Sequence, residues 1–200
     1  MVPRLHRHEA SSRPRVEGDR EQEILHAALD VLADVGYDRL TMDAVATSAK
    51  ASKATLYRKW ESKAALVIDA LMAEKTPLQA PGDTGSLRSD LLATFCSAGG
   101  LADGHQVAVL GSVITAISRD PEFAAAFRER FIAPKVAIVR ELYERGRERG
   151  EVRDDVDLDL VAAALPGIVL HRIFLLGDEP SPDLIARVVD QVILPAVTRG

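Results

Sequence analysis

Cysteine occurs once in this 200-residue chain, as Cys96. A single thiol excludes an intramolecular disulfide and a thiolate metal cluster. Long apolar runs are scarce: none reaches the roughly 18 residues that read as a membrane span. The polar, basic N-terminus has no apolar signal-peptide core. A soluble, cytoplasmic protein with no membrane partner is expected. Signatures of catalysis are missing too. There is no Gly-rich phosphate loop, no Cys/His metal spacing and no nucleophile elbow. No carboxylate stands in an apolar setting that would raise its pKa. Neither an enzyme nor a metal or other cofactor is expected, and His6 and His8, two residues apart, are weak grounds for a metal site.

An excess of positive charge is also lacking, since the formal net charge is −5. The distribution matters more than the sum. Residues 1–75 hold 12 Lys/Arg against 12 Asp/Glu, and residues 76–200 hold 13 against 18. Within Thr41–Lys63 five cations (Lys50, Lys53, Arg58, Lys59 and Lys63) face two acids, Asp43 and Glu61. A local basic patch on an acidic body suffices for phosphate contacts and discourages non-specific wrapping.

That segment, TMDAVATSAKASKATLYRKWESK, organises the chain. Thr41 is a good N-cap, and Asp43 sits in the first turn, where a carboxylate favours the positive helix end. Val45, Ala46 and Ala49 follow at helical spacing. The pattern breaks at Lys50-Ala51, and Ser52 caps a second helix over Lys53–Trp60. Leu56 and Trp60, four apart, share an inward face. Lys53, Ala54, Thr55, Tyr57 and Arg58 remain on the other side, a set of small, hydroxylated and cationic groups suited to a major groove. On spacing alone, a helical hairpin with a solvated basic face is the more common meaning of such a charge run.

The residues Val45, Ala46, Ala49, Lys50, Ala51, Ser52, Thr55, Leu56, Tyr57, Trp60, Lys63 and Leu66 stand at the offsets of a longer pattern. Through them the first third of the chain resembles the DNA-binding region of TetR/AcrR-type transcriptional regulators. Two positions depart from that pattern: Lys50 stands where the family usually has Gly, and Ala51 where it usually has Val. A left-handed Lys50 would cost on the order of 1 kcal/mol. The resemblance implies an all-α fold, with an N-terminal three-helix helix-turn-helix DNA-binding domain and a C-terminal helical ligand-binding and dimerisation domain. It implies contacts to double-stranded DNA from Thr41, Lys50, Ser52, Lys53, Ala54, Thr55, Tyr57, Arg58 and Lys63. The implied activity is that of a homodimeric repressor, released from a palindromic operator by a small hydrophobic or amphipathic effector.

The rest of the chain divides around this segment. Residues 1–18 lack apolar periodicity and are expected to be a disordered basic tail. Arg13 and Arg15 either reach a minor groove or phosphates when DNA is bound, or have no role. Asp19–Val35 is an amphipathic helix with Gly36 as its left-handed cap. It completes the unit that ends, with a connecting helix over Lys63–Glu74 capped by Ser62, at residue 75. Thr76–Ser86 reads as a connector. Residues 76–200 then carry only helical patterns: one helix from Leu87 ending near Gly99-Gly100, a second over Val107–Ser118, and a third opened by Asp120-Pro121-Glu122, which Pro134 should kink or divide. The acidic loop Glu151–Asp159 lacks the central Gly and distal Glu of a calcium loop, so Asp157 is read as an N-cap. Leu158–Leu176 is a long apolar helix containing Pro166-Gly167, and Ser181-Pro182-Asp183 opens the last one.

These last two helices carry more apolar surface than one small core needs, which marks an interface. The resembling family pairs them with their copies in a two-fold dimer, the symmetry that a palindromic site requires. The effector cavity is read from Phe95, Leu110, Val113, Ile117 and Phe127, with His171 as a polar contact. An apolar stripe of this kind also serves as plain core. Two other readings stay open: a ligand-independent architectural DNA-binding protein, and a helical interaction protein whose helix-turn-helix no longer binds DNA.

Overall fold

Helix starts in this chain are set by short polar side chains placed one turn before an apolar stripe, because each can accept from an orphan backbone N–H. A computed structural model describes residues 13–74, 82–97, 104–179 and 181–198, and shows those caps formed. Thr41 Oγ1 accepts from Ala44 N at 3.1 Å and opens α2 (Met42–Ser48). Ser52 Oγ accepts from Thr55 N at 3.1 Å and opens α3 (Lys53–Lys59). Ser62 Oγ does the same for α4 (Lys63–Glu74), accepting from Ala65 N.

Ahead of them α1 (Arg13–Arg39) bends at Gly36, whose φ of 77° suits a residue without a Cβ. The helix begins at Arg13, six residues before the expected Asp19, so residues 13–18 are helical rather than part of an unstructured tail. Residues 1–12, with His6 and His8, the connector residues 75–81 and the helix end near Gly99-Gly100 lie outside the described residues.

After the connector come α5 (Leu87–Ser97), α6 (Gly104–Arg119) and α7 (Pro121–Phe127). Asp120 caps α7 by accepting from Phe123 N at 2.9 Å, with Pro121 in the first turn. Then α8 (Ala133–Glu148), α9 (Leu158–Leu176), α10 (Pro182–Val188) and α11 (Leu194–Val197) complete the chain. No strand forms among the described residues; a single antiparallel bridge joins Val152 to Thr198.

The α-helix is interrupted ahead of Pro134, by a π-helical turn that separates α7 from α8. The five residues before α8, Arg128–Ile132, form a π-helical turn in which Ala133 N donates to Arg128 O, five residues back. A proline ring presses on the carbonyl four residues before it, and widening the preceding turn removes that clash without stopping the helix. The same device precedes Pro195: Val189–Ile193 is π-helical, and Leu194 N donates to Val189 O.

Two hydrophobic clusters hold the fold. The first joins α1–α4 to α6, α7 and Phe131. The second is built from α5, α8, α9 and the α10–α11 rod. The expectation that no segment is long and apolar enough for a membrane needs correction, because the 19-residue α9 meets that length and composition. Its few polar residues, Asp159, His171 and Arg172, lie towards its ends. Here α9 packs on α8 and α10 and buries Leu158, Ala162, Leu165 and Ile173.

Candidate DNA-binding surface

The geometry of the α2–α3 pair follows from what each face must bury. Met42, Val45 and Ala46 anchor α2 in the first core. Leu56 and Trp60 anchor α3 and its C-terminus, with 0% and 2% exposure. Trp60 Nε1 donates to Asp69 Oδ2 at 2.9 Å, so the end of α3 is tied to α4. Between the helices, Lys50 N donates to Thr47 O at 3.1 Å and Ala51 N to Ala46 O at 2.8 Å. This pair of bonds closes α2 as a Schellman motif and requires its central residue to be left-handed. That residue is Lys50, at φ 51°.

The opposite face of α3 is open. Ser52, Lys53, Ala54, Tyr57 and Arg58 are exposed, and Thr55 is half-buried. Tyr57 leaves 56% of its surface in solvent, a large amount for an aromatic side chain. The hydroxyls of Ser52 and Thr55 lie 2.8 Å apart. Lys53 Nζ sits 2.5 Å from Asp43 Oδ2 across the turn, so the pair pins α2 to α3 and must loosen for Lys53 to reach a base. Lys59 pairs with Glu21 of α1. Arg58 has no ion-pair partner among the described residues. Thr41 and Lys50 are exposed too, at the start of α2 and in the turn.

Lys63 is placed differently from the exposed cations. Its ammonium donates to Tyr37 O at 2.9 Å and stands 4.2 Å from the Tyr37 ring centroid. One of its donors is thus held inward. Tyr37 in turn donates its hydroxyl to Asp120 Oδ2 at 2.9 Å, linking the α1 bend to the start of α7. Burial first, and then the Asp120 carboxylate, push the Tyr37 phenol well above its ordinary pKa, so the hydroxyl stays a donor. Sequence reading missed this link; a tyrosine just after a helix-breaking glycine was its only local signal.

The six residues expected to line one effector cavity are not brought together. Leu110, Val113 and Phe127 do line a small, mostly apolar pocket, with Leu71, Gln106, Val109 and Phe131. Its volume is about 30 Å³, close to the share of a single water. Ile117 packs on the same core without lining that space. Phe95 belongs with the second cluster, and His171 is exposed on α9. A wider, open cleft of about 450 Å³ runs between residues 35–39 of α1 and Ala108, Gly111, Ser112 and Thr115 of α6. Among the described residues no three His, Cys, Asp or Glu side chains gather as a metal site.

The arrangement of a capped α2, a left-handed turn and an α3 with a buried rear and an open cationic front is that of a helix-turn-helix. Comparison with known proteins agrees over nearly the whole length. Residues 24–70 match the family model of bacterial regulatory proteins of the tetR family, and residues 81–192 match that of the tetracyclin repressor-like C-terminal domain. The chain belongs to the TetR family of transcriptional regulators. It is 36% identical over 184 residues to the HTH-type transcriptional regulator Rv1556 of Mycobacterium tuberculosis, covering 90% of this chain and 89% of that one. It is also 36% identical over 183 residues to the DNA-binding transcriptional repressor TetR of Mycobacteroides abscessus, covering 90% and 95%. Among solved structures, the TetR family transcription regulator SCO0332 superposes with a TM-score of 0.67 at 30% identity, over 90% of this chain and all of that one. This TetR-family protein is therefore an all-helical DNA-binding transcriptional regulator rather than an enzyme, and regulators of its family form dimers.

Proposed function

We propose that this regulator is a homodimeric repressor that reads a palindromic operator in the cytoplasm and leaves it when a small hydrophobic or amphipathic molecule binds the helical body. The observation that carries the reading is the division of α3: Leu56 is buried, while Lys53, Ala54, Tyr57 and Arg58 face outward. Lys53, Ala54, Thr55 and Arg58 are assigned to base edges; Thr41, Lys50, Ser52, Tyr57 and Lys63 are assigned to the backbone. The repressor named among its relatives supports the direction of control.

Fluorescence anisotropy against duplexes selected in vitro from a random pool, with a scrambled competitor at two salt concentrations, tests the reading. Competitor-resistant binding is expected, with at least two protomers per site. Equal, salt-sensitive binding to both duplexes would leave only a non-specific binder. In the same assay Arg58→Ala is expected to relax preference at one base step by about 1–3 kcal/mol, while Lys63→Ala weakens all duplexes alike. Uniform loss in both variants would remove Arg58 from the base-reading set.

Dimerisation is assigned to α9 and the α10–α11 rod. Leu160, Leu175 and Leu176 expose 71%, 74% and 58% of their surface. Apolar side chains so open in one helix are unusual in a monomer. Leu175→Glu is expected to convert the dimer to a monomer in light scattering. It should also weaken operator binding about tenfold or more, since each half-site then binds alone. A dimeric variant with unchanged operator binding would move the interface elsewhere.

One observation favours the second reading, a ligand-independent architectural DNA-binding protein. The apolar pocket beside Phe127 and Phe131 is about 30 Å³, far below the roughly 300 Å³ at which ligand sites begin, and the larger cleft of about 450 Å³ between α1 and α6 is open to solvent. Under the repressor reading the helices around the pocket must open for an effector. A library of apolar small molecules that never shifts thermal stability or operator affinity would favour the architectural reading.

A further inference from the structure

Lys50 holds a conformation that most residues avoid, at φ 51°. A non-glycine residue there costs about 1 kcal/mol and persists when its surroundings over-determine it. Part of that determination is local. The amides of Lys50 and Ala51 are committed to Thr47 O and Ala46 O. The Lys50 carbonyl is not held by its own turn. It accepts from Arg20 Nη2 of α1 at 2.5 Å, thirty residues earlier in the chain.

Arg20 is itself oriented, because its Nη1 pairs with Glu23 on the same face of α1. The next residue, Glu21, pairs with Lys59 at the far end of α3. Two consecutive residues of α1 thus hold the turn before the recognition helix and that helix's last residue. The held carbonyl lies two residues before Ser52, the N-cap whose hydroxyl accepts from Thr55 N. Its position sets the direction in which α3 leaves the turn. A guanidinium on a carbonyl is a charge-assisted bond, stronger than a neutral one.

We infer that Arg20 is a positioning residue for DNA recognition, its guanidinium holding the Lys50 carbonyl and thereby fixing a turn made from a non-glycine residue. The inference rests on the reading of α3 as the DNA-contacting helix. Arg20 acts on α3 rather than on DNA. It fixes the helix before the operator arrives, so less order has to be gained on binding.

The experiment compares wild type, Arg20→Ala, Lys50→Gly and the double variant on a duplex selected by the wild type, across a salt series. Arg20→Ala is expected to lose about three- to tenfold in affinity with an unchanged salt slope. In the Lys50→Gly background, where the left-handed turn needs no restraint, the same change should lose less than about twofold. A fall in salt slope of about one on removing Arg20 would make it a phosphate contact instead. Equal losses in the two backgrounds, or no loss, would likewise overturn the inference. Hydrogen exchange of the free protein supplies a readout without DNA. The Ala51 and Thr55 amides should exchange about fivefold faster in Arg20→Ala, and unchanged exchange would overturn the clamp. If the wild type selects no duplex, the proposed function fails, while exchange still decides the clamp.

Discussion

Replacing Phe123 by alanine is expected to remove about 3–5 kcal/mol of unfolding free energy, the range for a large aromatic lost from a packed core. Phe123 has 0% exposure and sits between two rings. The Tyr37 centroid is 4.6 Å away in a tilted contact, and that of Phe127 is 5.8 Å away, stacked. Phe127 in turn stacks on Phe131 at 4.9 Å. The ladder starts at the bend of α1, in the DNA-binding unit, and ends at the wall of the small apolar cavity. Truncating Phe123 opens a hole between the two units, beside the Tyr37–Asp120 hydrogen bond. Tyr37→Phe separates the two contributions. It keeps the tilted ring contact to Phe123, loses only the hydroxyl, and should cost about 1 kcal/mol. Urea unfolding of the two variants measures the difference. A Phe123→Ala loss below about 1 kcal/mol would mean that the site collapses freely and that the ladder is not what joins the units.

The contrast between that ladder and the helix caps shows what this sequence discloses. Thr41, Ser52, Ser62, Asp120, Asp157 and Ser181 are all legible as N-caps, because a cap acts on an amide two or three residues away. The bounds of α4 and α9 follow from the same local signals. A left-handed Lys50 is suggested by the resemblance, since it stands where the family usually has Gly; it is found at φ 51°, with its Schellman bonds made locally.

Contacts between distant segments leave no such trace. Tyr37 and Asp120 are 83 residues apart, and Arg20 and Lys50 are 30 apart. An apolar stripe announces that a face is covered without saying by what. Phe95 and Phe127 therefore looked alike in sequence, yet they pack in different clusters. His171 lies on an apolar helix, but its position relative to α8 and α10 leaves it in solvent. The π-helical turns before Pro134 and Pro195 are a third case, since sequence reports the clash but not which neighbouring turn absorbs it.

Asp90→Ala should cost about 3 kcal/mol or more, because removing one side of a buried ionic network leaves the other side uncompensated. Asp90 is fully buried in the first turn of α5. Its Oδ1 accepts from Thr84 N at 3.0 Å and from Thr84 Oγ1 at 2.6 Å. Its Oδ2 faces Arg149 Nη2 at 3.0 Å and Arg145 Nη2 at 3.6 Å. Arg149 also reaches Glu151 at 2.5 Å and Asp83 at 2.8 Å, while Glu151 accepts from Leu87 N at 2.8 Å. The acidic residues of this region thus stitch the approach to α5 onto the end of α8. Burial by itself would raise the Asp90 pKa, but the Thr84 donors and Arg149 outweigh it and hold the carboxyl below its ordinary value. A carboxyl depressed in the folded state favours folding above its unfolded pKa of about 3.9, and that contribution disappears as pH falls through the folded value. Urea unfolding of wild type and Asp90→Asn from about pH 7 down to about pH 3 should therefore give curves that converge in acid, because the variant has no proton to take up at this site. Parallel acid limbs would show that Asp90 gains nothing from being charged, and that the cost of Asp90→Ala is lost packing alone.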